Sequence, residues 1–156
     1  NNRIMDETKI CEMLSVSPIF VLMPVKLGIE KKINEKYIEV LKKILSLQCS
    51  IGFIGGKNNS SYYVVGINYK LKKWLYFDPH KIRCYNDYNN IYNTDYQMLN
   101  YMELDSNLSI GLYFRKINEF EYFKKTIEKT NLFDFSYDKE FKYNNLKIED
   151  EWNLIY

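Results

Sequence analysis

Three short apolar segments separated by short turns constrain most strongly what this chain can fold into. They run from Ile51 to Ile54, from Tyr62 to Ile67 and from Trp74 to Asp78. Glycine, asparagine, serine or proline follows each of them. Segments of strand length joined by short turns are typical of hairpins that succeed one another in one sheet. The sequence therefore predicts an antiparallel meander in the middle of the chain.

Further strands and helices are predicted on either side of this meander. The strand from Ile19 to Leu27 contains Pro24, which cannot donate a main-chain hydrogen bond and is expected at a sheet edge or bulge. Asn34 is expected to cap a helix that reaches Leu47. The remaining elements are a strand from Ile110 to Phe114 and a helix capped by Asn118, whose apolar side comprises Phe120, Phe123 and Ile127. The predicted fold class is α+β, one antiparallel sheet with helices packed against it.

Two segments lack such periodicity. Residues Asn86 to Asn107 are polar and rich in Tyr and Asn, and we interpret them as a long loop or insertion. The last twenty or so residues alternate charged and aromatic side chains, which indicates a loosely attached tail. The sequence is therefore divided into a folded part, residues 1–136, and a tail, residues 137–156.

Composition excludes several functional classes. The length of 156 residues suits one domain, and 46% hydrophobic with 27% charged residues is typical of soluble globular proteins. A net charge of +2 without a basic stripe argues against nucleic-acid binding. The longest apolar run, Pro18 to Val25, is too short to span a membrane. The first residue is Asn1, so we expect a piece of a longer chain, without a secretory leader.

Three cysteines, Cys11, Cys49 and Cys84, show no metal-ligand spacing and are too few for a disulfide scaffold. This pattern predicts a protein of the reducing cytoplasm that needs no metal or other cofactor.

The one histidine of the chain, His80, stands two residues after Asp78 at the end of a predicted strand. Side chains two apart on a strand share a face, so both could project into one cleft. Cysteine proteases need such a pair, because an imidazole takes the thiol proton and a carboxylate orients the ring. Pro79 restricts the backbone between them. The alternative is an ordinary surface histidine in a turn.

Two interpretations are also open for the adjacent glycines Gly55 and Gly56. The pair either lets the backbone of another polypeptide approach closely at the site or forms a plain turn.

Several segments, taken in order, resemble the autophagins, the cysteine proteases of autophagy. Leu75-Tyr-Phe-Asp-Pro-His80 is similar to the Tyr-Leu-Asp-Pro-His of that family. Gln48-Cys-Ser-Ile-Gly-Phe-Ile-Gly-Gly-Lys57 is similar to its Gln-Ser-x-Gly-x-x-Gly-Gly-Lys. Further similar segments are Pro18 to Gly28, Ser61 to Gly66 and Leu104 to Phe114, within a resemblance that extends from about Pro18 to Asn131.

This resemblance implies a papain-like fold in which Asp78 and His80 are the catalytic Asp and His. It implies a substrate that is the ubiquitin-like modifier of autophagy, cut after its C-terminal Gly. The bond would be an amide of the precursor or of the lipidated modifier on membranes, so that the enzyme both processes and delipidates the modifier. A narrow cleft near Gly55 and Gly56 suits a tail that ends in Gly.

The chain also departs from the family. It contains no Gly-Trp-Gly-Cys segment, so the nucleophilic cysteine is expected upstream and this chain alone is expected to be inactive. The cysteines present are interpreted as structural. Lys81-Ile-Arg83 stands where the family usually has Gln, and Ser106 replaces an expected Pro. Because the missing half would cover the catalytic face, exposed apolar surface is also expected.

Two alternatives remain open for function. The chain could be a non-catalytic module that binds the modifier, or a structural domain in which Asp-Pro-His is only a turn.

A second contact with the modifier is predicted in the tail, where three acidic residues precede Trp152 and Ile155 follows three positions later. An extended peptide of this kind can add to a sheet edge and place both side chains in pockets. Alternatively, Trp152 packs back on the domain.

Overall fold

One six-stranded sheet organises the chain in a computed structural model that describes residues 4–57, 60–81 and 96–136. The strands are β1 Ile4–Asp6, β2 Ile19–Lys26, β3 Ser50–Lys57, β4 Ser60–Asn68, β5 Lys73–Phe77, β6 Gln97–Asn100, β7 Asn107–Phe114 and β8 Asp134–Ser136. The α-helices are α1 Glu7–Val16, α2 Ile38–Leu45 and α3 Ile117–Ile127, with 3₁₀ turns at Glu35–Tyr37, Tyr101–Glu103 and Glu128–Thr130. Over these ranges, none of the helices is long and apolar enough to cross a membrane.

The sheet has the strand order β2-β7-β3-β4-β5-β6, and all of its neighbours are antiparallel. The predicted meander is confirmed as β3 to β5, and β6 continues it. β7 then returns and inserts between β3 and β2. Pro24 lies on β2, an edge strand, which confirms the position expected for a residue without an amide hydrogen.

A second, two-stranded parallel sheet joins the two ends of the described chain, because Ile4 pairs with Asp134. Helix α1 follows β1 directly. The Asp6 side chain caps this helix by accepting a hydrogen bond from the Lys9 amide at 3.0 Å. Sequence analysis missed β1 and α1, although Ile10 and Leu14, which are buried, have helical spacing after the Asp6 cap.

The core lies between the sheet and helices α2 and α3. α3 buries Phe120, Phe123 and Ile127, as predicted. Phe114 of β7 stands edge-on to Phe120 and Phe123, with ring centroids 5.5 Å apart in both pairs. The sheet contributes fully buried side chains from every strand of its centre: Phe53, Val64, Trp74, Ile110, Leu112 and Phe114. The predicted antiparallel sheet with flanking helices is thus observed.

The opposite face of the sheet is apolar and exposed. Phe20 and Leu22 of β2 are 57% and 48% exposed, and Ile54 of β3 is 48% exposed. We call the surface formed by Phe20, Leu22, Ile51, Ile54, Tyr63 and Tyr113 the open face. Exposed apolar surface was expected from the sequence, and it is present.

The prediction of a loop from Asn86 to Asn107 is wrong for the part of that range that the structure describes, residues 96–107. Strand β6 occupies Gln97–Asn100, a 3₁₀ turn follows, and β7 begins at Asn107. β6 forms within a polar stretch of the sequence because it pairs with β5, and Leu99 opposite Trp74 is buried. Residues 82–95, and the predicted tail from 137 to 156, lie outside the described residues.

The second helix cap is also corrected. α3 begins at Ile117, so Asn118 lies inside its first turn and Lys116 occupies the cap position without a side-chain hydrogen bond. Glu119 of the first turn instead ties the helix to the residue before the cap position. Its carboxylate accepts a hydrogen bond from the Arg115 amide at 2.8 Å and pairs with the Arg115 guanidinium at 2.6 Å.

We predict that Phe123→Ala lowers the free energy of unfolding by about 3–5 kcal/mol, because it leaves a cavity among packed aromatic rings. The control is Tyr122→Ala, one residue away but 65% exposed, which should stay within about 0.5 kcal/mol. Urea unfolding followed by circular dichroism measures both. Equal losses in the two variants would contradict the assignment of Phe123 to the core.

Candidate active site

The Asp78-Pro79-His80 segment forms a tight turn directly after β5. The Lys81 amide donates to the Asp78 carbonyl at 3.3 Å and closes the turn. One carboxylate oxygen of Asp78, Oδ1, accepts the main-chain amide of His80 at 2.9 Å and lies 3.0 Å from His80 Nδ1. A single oxygen therefore fixes both the backbone of the turn and the orientation of the ring. The two side chains that sequence analysis proposed as a pair are in contact.

This contact sets the chemistry of the imidazole. An ionised carboxylate only accepts hydrogen bonds, so Nδ1 carries the proton and Nε2 is left with its lone pair. The His80 side chain is 64% exposed, whereas that of Asp78 is 20% exposed. The ring is thus accessible from solvent while its carboxylate is partly shielded. Such a pair can accept a proton at Nε2 and stabilise the resulting imidazolium.

The pKa of Asp78 lies below its ordinary value. The hydrogen bond from the His80 amide is the largest cause, and the hydrogen bond and charge of the His80 ring add to it. Partial burial acts in the opposite direction. Asp78 is consequently held in the anionic form that orients the ring.

Strand β5 holds this turn in a fixed place. Trp74 is fully buried, and its indole N–H donates to the Tyr101 carbonyl at 3.2 Å. Its ring stands edge-on to Phe53 at 5.5 Å between centroids. Further along the strand, the Tyr76 hydroxyl bonds Gln97 Oε1 at 3.1 Å. The strand before the turn is therefore anchored to neighbours on both sides.

A groove of about 340 Å³ on the open face reaches the same turn. Gly52 of β3 and Gly111 of β7 pair side by side within it, and Pro79 lies at its border. Tyr63 forms one wall and donates from its hydroxyl to the Ile51 carbonyl. Sequence analysis missed this groove; the signal available was a glycine inside each of two apolar strands.

The glycine pair that sequence analysis proposed for substrate binding lies elsewhere. Gly55 and Gly56 are inside β3 rather than in a turn, and they do not line the groove beside Pro79. A Cβ on Gly55 would stand 2.8 Å or less from Leu104 and Leu108 side-chain atoms, and one on Gly56 would stand 2.7 Å from the Ser60 carbonyl. Close packing therefore explains both glycines, and a role in substrate binding stays a prediction.

The cysteines within the described residues are poor candidates for the nucleophile. Burial raises the pKa of Cys49 to about 11. Burial, followed by nearby Glu121 and Glu7, also raises the pKa of Cys11. Neither lines the groove beside Pro79. Cys84, like the predicted binding residues Trp152 and Ile155, lies outside the described residues.

Comparison with known proteins adds a family likeness. Residues 2–126 match the family model described as the peptidase C54 catalytic domain. A probable cysteine protease ATG4 of Scheffersomyces stipitis is 35% identical over 127 residues, covering 77% of this chain and 24% of the relative. The cysteine protease atg4 of Dictyostelium discoideum is 36% identical over 135 residues, covering 78% of this chain and 18% of the relative. The chain thus spans about a quarter or less of the curated relatives it matches.

We predict that His80→Ala leaves the pKa of Asp78 below its ordinary value. The largest single cause of the lowering is the hydrogen bond from the main-chain amide of residue 80, which alanine retains, while the hydrogen bond and charge of the ring are lost. Titration of the Asp78 carboxyl carbon by NMR measures this. Because the pKa of Asp78 is lowered in the folded protein, its hydrogen bonds stabilise the fold fully above the ordinary aspartate pKa. This stabilisation is lost as the pH falls through the pKa of Asp78 in the folded protein.

The matched variant is His80→Pro, which removes the amide hydrogen as well as the ring. Its Asp78 pKa should return to the ordinary range. If His80→Ala alone returned the pKa to that range, the ring rather than the amide would be the main cause.

Proposed function

The chain belongs to the peptidase C54 family of papain-like cysteine proteases, and we propose from this premise that it is part of the active site of an autophagy protease. Membership confirms the predicted autophagin resemblance and the papain-like α+β fold class. The proposed activity is cleavage of the ubiquitin-like autophagy modifier after its C-terminal Gly, from the precursor and from the lipid amide. The reducing cytoplasm is the proposed location, because the nucleophile is a thiol.

The observation that supports this proposal best is the contact between Asp78 Oδ1 and His80 Nδ1 at 3.0 Å. In the proposed reaction, His80 Nε2 takes the proton of a cysteine thiol supplied from outside these 156 residues. The thiolate attacks the carbonyl carbon of the terminal Gly, and Asp78 stabilises the imidazolium. His80 then returns the proton to the leaving amine, which belongs to a peptide or to a lipid head group. Water, with His80 again as base, releases the Gly carboxylate from the thioester.

A glycine at the cleaved bond suits a site of this kind. It presents no side chain, so its carbonyl can approach a nucleophile within a narrow cleft. The proposal includes a narrow cleft near Gly55 and Gly56 that takes the tail of the modifier. The curated relatives are named as ATG4 cysteine proteases, and the modifier enters as the substrate through that likeness.

A non-catalytic binding module is the second candidate. It is favoured by one observation: within the described residues no thiol stands beside His80, and the two cysteines described there have raised pKa values. The chain would then hold the modifier without cutting it.

We predict that a modifier carrying a thiol-reactive electrophile on its C-terminal Gly forms no adduct with residues 1–156 but binds to them. The reason is that Cys11 and Cys49 are largely protonated at neutral pH. Intact mass measures the adduct, and calorimetry with the unmodified modifier measures binding. An adduct mapped to Cys11, Cys49 or Cys84 would overturn the external nucleophile, and absence of both adduct and binding would contradict the binding module.

We also predict that Trp152→Ala with Ile155→Ala weakens binding of the modifier to the chain by tenfold or more, on the order of the loss of two buried anchor residues. Asn153→Ala is the control, because it changes a residue of the same segment that is neither of the two proposed anchors. Calorimetric titration measures the affinity for the modifier. Unfolding curves that match that of the unsubstituted chain show that each variant is folded. Equal affinity of all three proteins would exclude the tail as a binding motif.

A further inference from the structure

We propose that the hairpin between β4 and β5 is a docking surface for a membrane that carries anionic lipids. We call residues 69–73, which connect the two strands and begin β5, the hairpin tip; their sequence is Tyr-Lys-Leu-Lys-Lys. The inference goes beyond the proposed function and does not rest on it, because the hairpin tip lies at the opposite end of β5 from the Asp78–His80 turn.

The first argument is the exposure of large side chains at the hairpin tip. Tyr69 is 63% exposed and Leu71 is 50% exposed. Lys70 and Lys72, which alternate with them along the chain, are exposed as well. This mixture of side chains matches the boundary of a bilayer, where aromatic and aliphatic groups reach the acyl chains while the ammonium groups stay among the head groups.

The second argument is that the residues of the hairpin tip are not those that a turn requires. Hairpin turns favour Gly, Asn and Asp, and none of these occurs in residues 69–72. Lys72 has a φ of 54°, a left-handed conformation that Gly and Asn adopt more readily. The turn is instead closed from outside, since Asn68 Oδ1 accepts a hydrogen bond from the Leu71 amide at 2.9 Å. What the tip presents to its surroundings therefore explains its composition better than the turn it forms.

The third argument is that the hairpin tip is held in place without a partner. The Tyr69 hydroxyl lies 3.3 Å from the hydroxyl of Ser46, the residue that ends α2. The Tyr101 hydroxyl donates a hydrogen bond to the Asn68 carbonyl at 3.4 Å. The side chains of the tip consequently need little ordering when they bind, which lowers the entropic cost of association.

The fourth argument is charge, and it selects the partner. Between Glu39 and Asp78 the sequence contains six lysines and no acidic residue, although the net charge of the whole chain is only +2. Over the described ranges, no salt bridge joins Lys70, Lys72 or Lys73 to a carboxylate. Lysines near an anionic lipid surface each add to the affinity for it. An uncharged partner would leave the three cations unexplained, and a polyanion would leave the exposed apolar side chains unexplained.

Co-sedimentation of residues 1–156 with lipid vesicles tests this inference. The chain should bind vesicles of equal parts phosphatidylcholine and phosphatidylserine, and it should bind vesicles of phosphatidylcholine alone much more weakly. Removal of three charges from the hairpin tip should lower the partition coefficient by roughly a hundredfold, because each lysine near such a surface contributes about fivefold. The variant carries Lys70→Gln, Lys72→Gln and Lys73→Gln.

The matched control removes the same charge from exposed lysines at and after α3, and its partition coefficient should change far less. It carries Lys116→Gln, Lys125→Gln and Lys129→Gln. Unfolding curves that match that of the unsubstituted chain show that each variant is folded.

A second variant tests the apolar contribution. Tyr69→Ser with Leu71→Ser should lower the partition coefficient by on the order of tenfold or more, because two side chains no longer enter the bilayer boundary. Tyr122→Ser, at a position that is 65% exposed on α3, should leave it unchanged. If loss of the Tyr69 hydroxyl disturbs the fold, Leu71→Ser alone repeats the test, because only the main chain of Leu71 bonds Asn68.

Three results would overturn the inference. The first is equal binding to vesicles with and without phosphatidylserine. The second is an equal loss in the two lysine variants, because net charge rather than the hairpin tip then governs binding. The third is unchanged binding after Tyr69→Ser with Leu71→Ser, because the tip then binds polyanions such as nucleic acid rather than a lipid surface. None of these measurements depends on cleavage of the modifier.

Discussion

Insertion of β7 between β2 and β3 is the interaction on which the rest of this structure depends. β7 pairs along its length with β2 and along half of it with β3, so it joins the edge strand to the meander. Its alternate residues Leu108, Ile110, Leu112 and Phe114 all face the helices and are buried. Phe114 then contacts two aromatic rings of α3. One strand thus joins the edge strand to the meander and packs the sheet against α3.

The same strand produces the asymmetry of the molecule. Because side chains alternate along β7, the residues between its buried ones, Ser109, Gly111 and Tyr113, face the other side. That side carries the glycine-floored groove and the open face. Within the described residues, the division of the sheet into a side that carries the helices and a side with exposed apolar residues follows the alternation of side chains along its strands, and Pro79 of the Asp78–His80 turn lines the groove.

Much of this fold could be predicted from the sequence because its strands are short, apolar and separated by clear turns. The meander, the edge position of Pro24 and the buried face of α3 follow from such local rules. β6 could not be predicted in this way, because its four residues, of which only Met98 and Leu99 are apolar, are too short a pattern in a polar stretch and form a strand through pairing with β5. Asn118 was misplaced as a cap because the helix begins one residue earlier, at Ile117, where the cap position is held by Lys116, a residue type without a capping side chain. In the site, contact between Asp78 and His80 was predictable from their spacing, whereas the groove depends on a cross-strand glycine pair that spacing alone does not show.

The Asp78–His80 contact joins residues only two apart in sequence. This short spacing has a consequence for how such a site can evolve. Closing so short a loop costs little conformational entropy, so the contact between the two side chains is local, although β5 fixes the place of the turn in the fold. A gene that loses the region bearing the thiol would still encode a correctly formed acid–base pair. An intact aspartate–histidine turn therefore indicates present activity only when a thiol is found beside it.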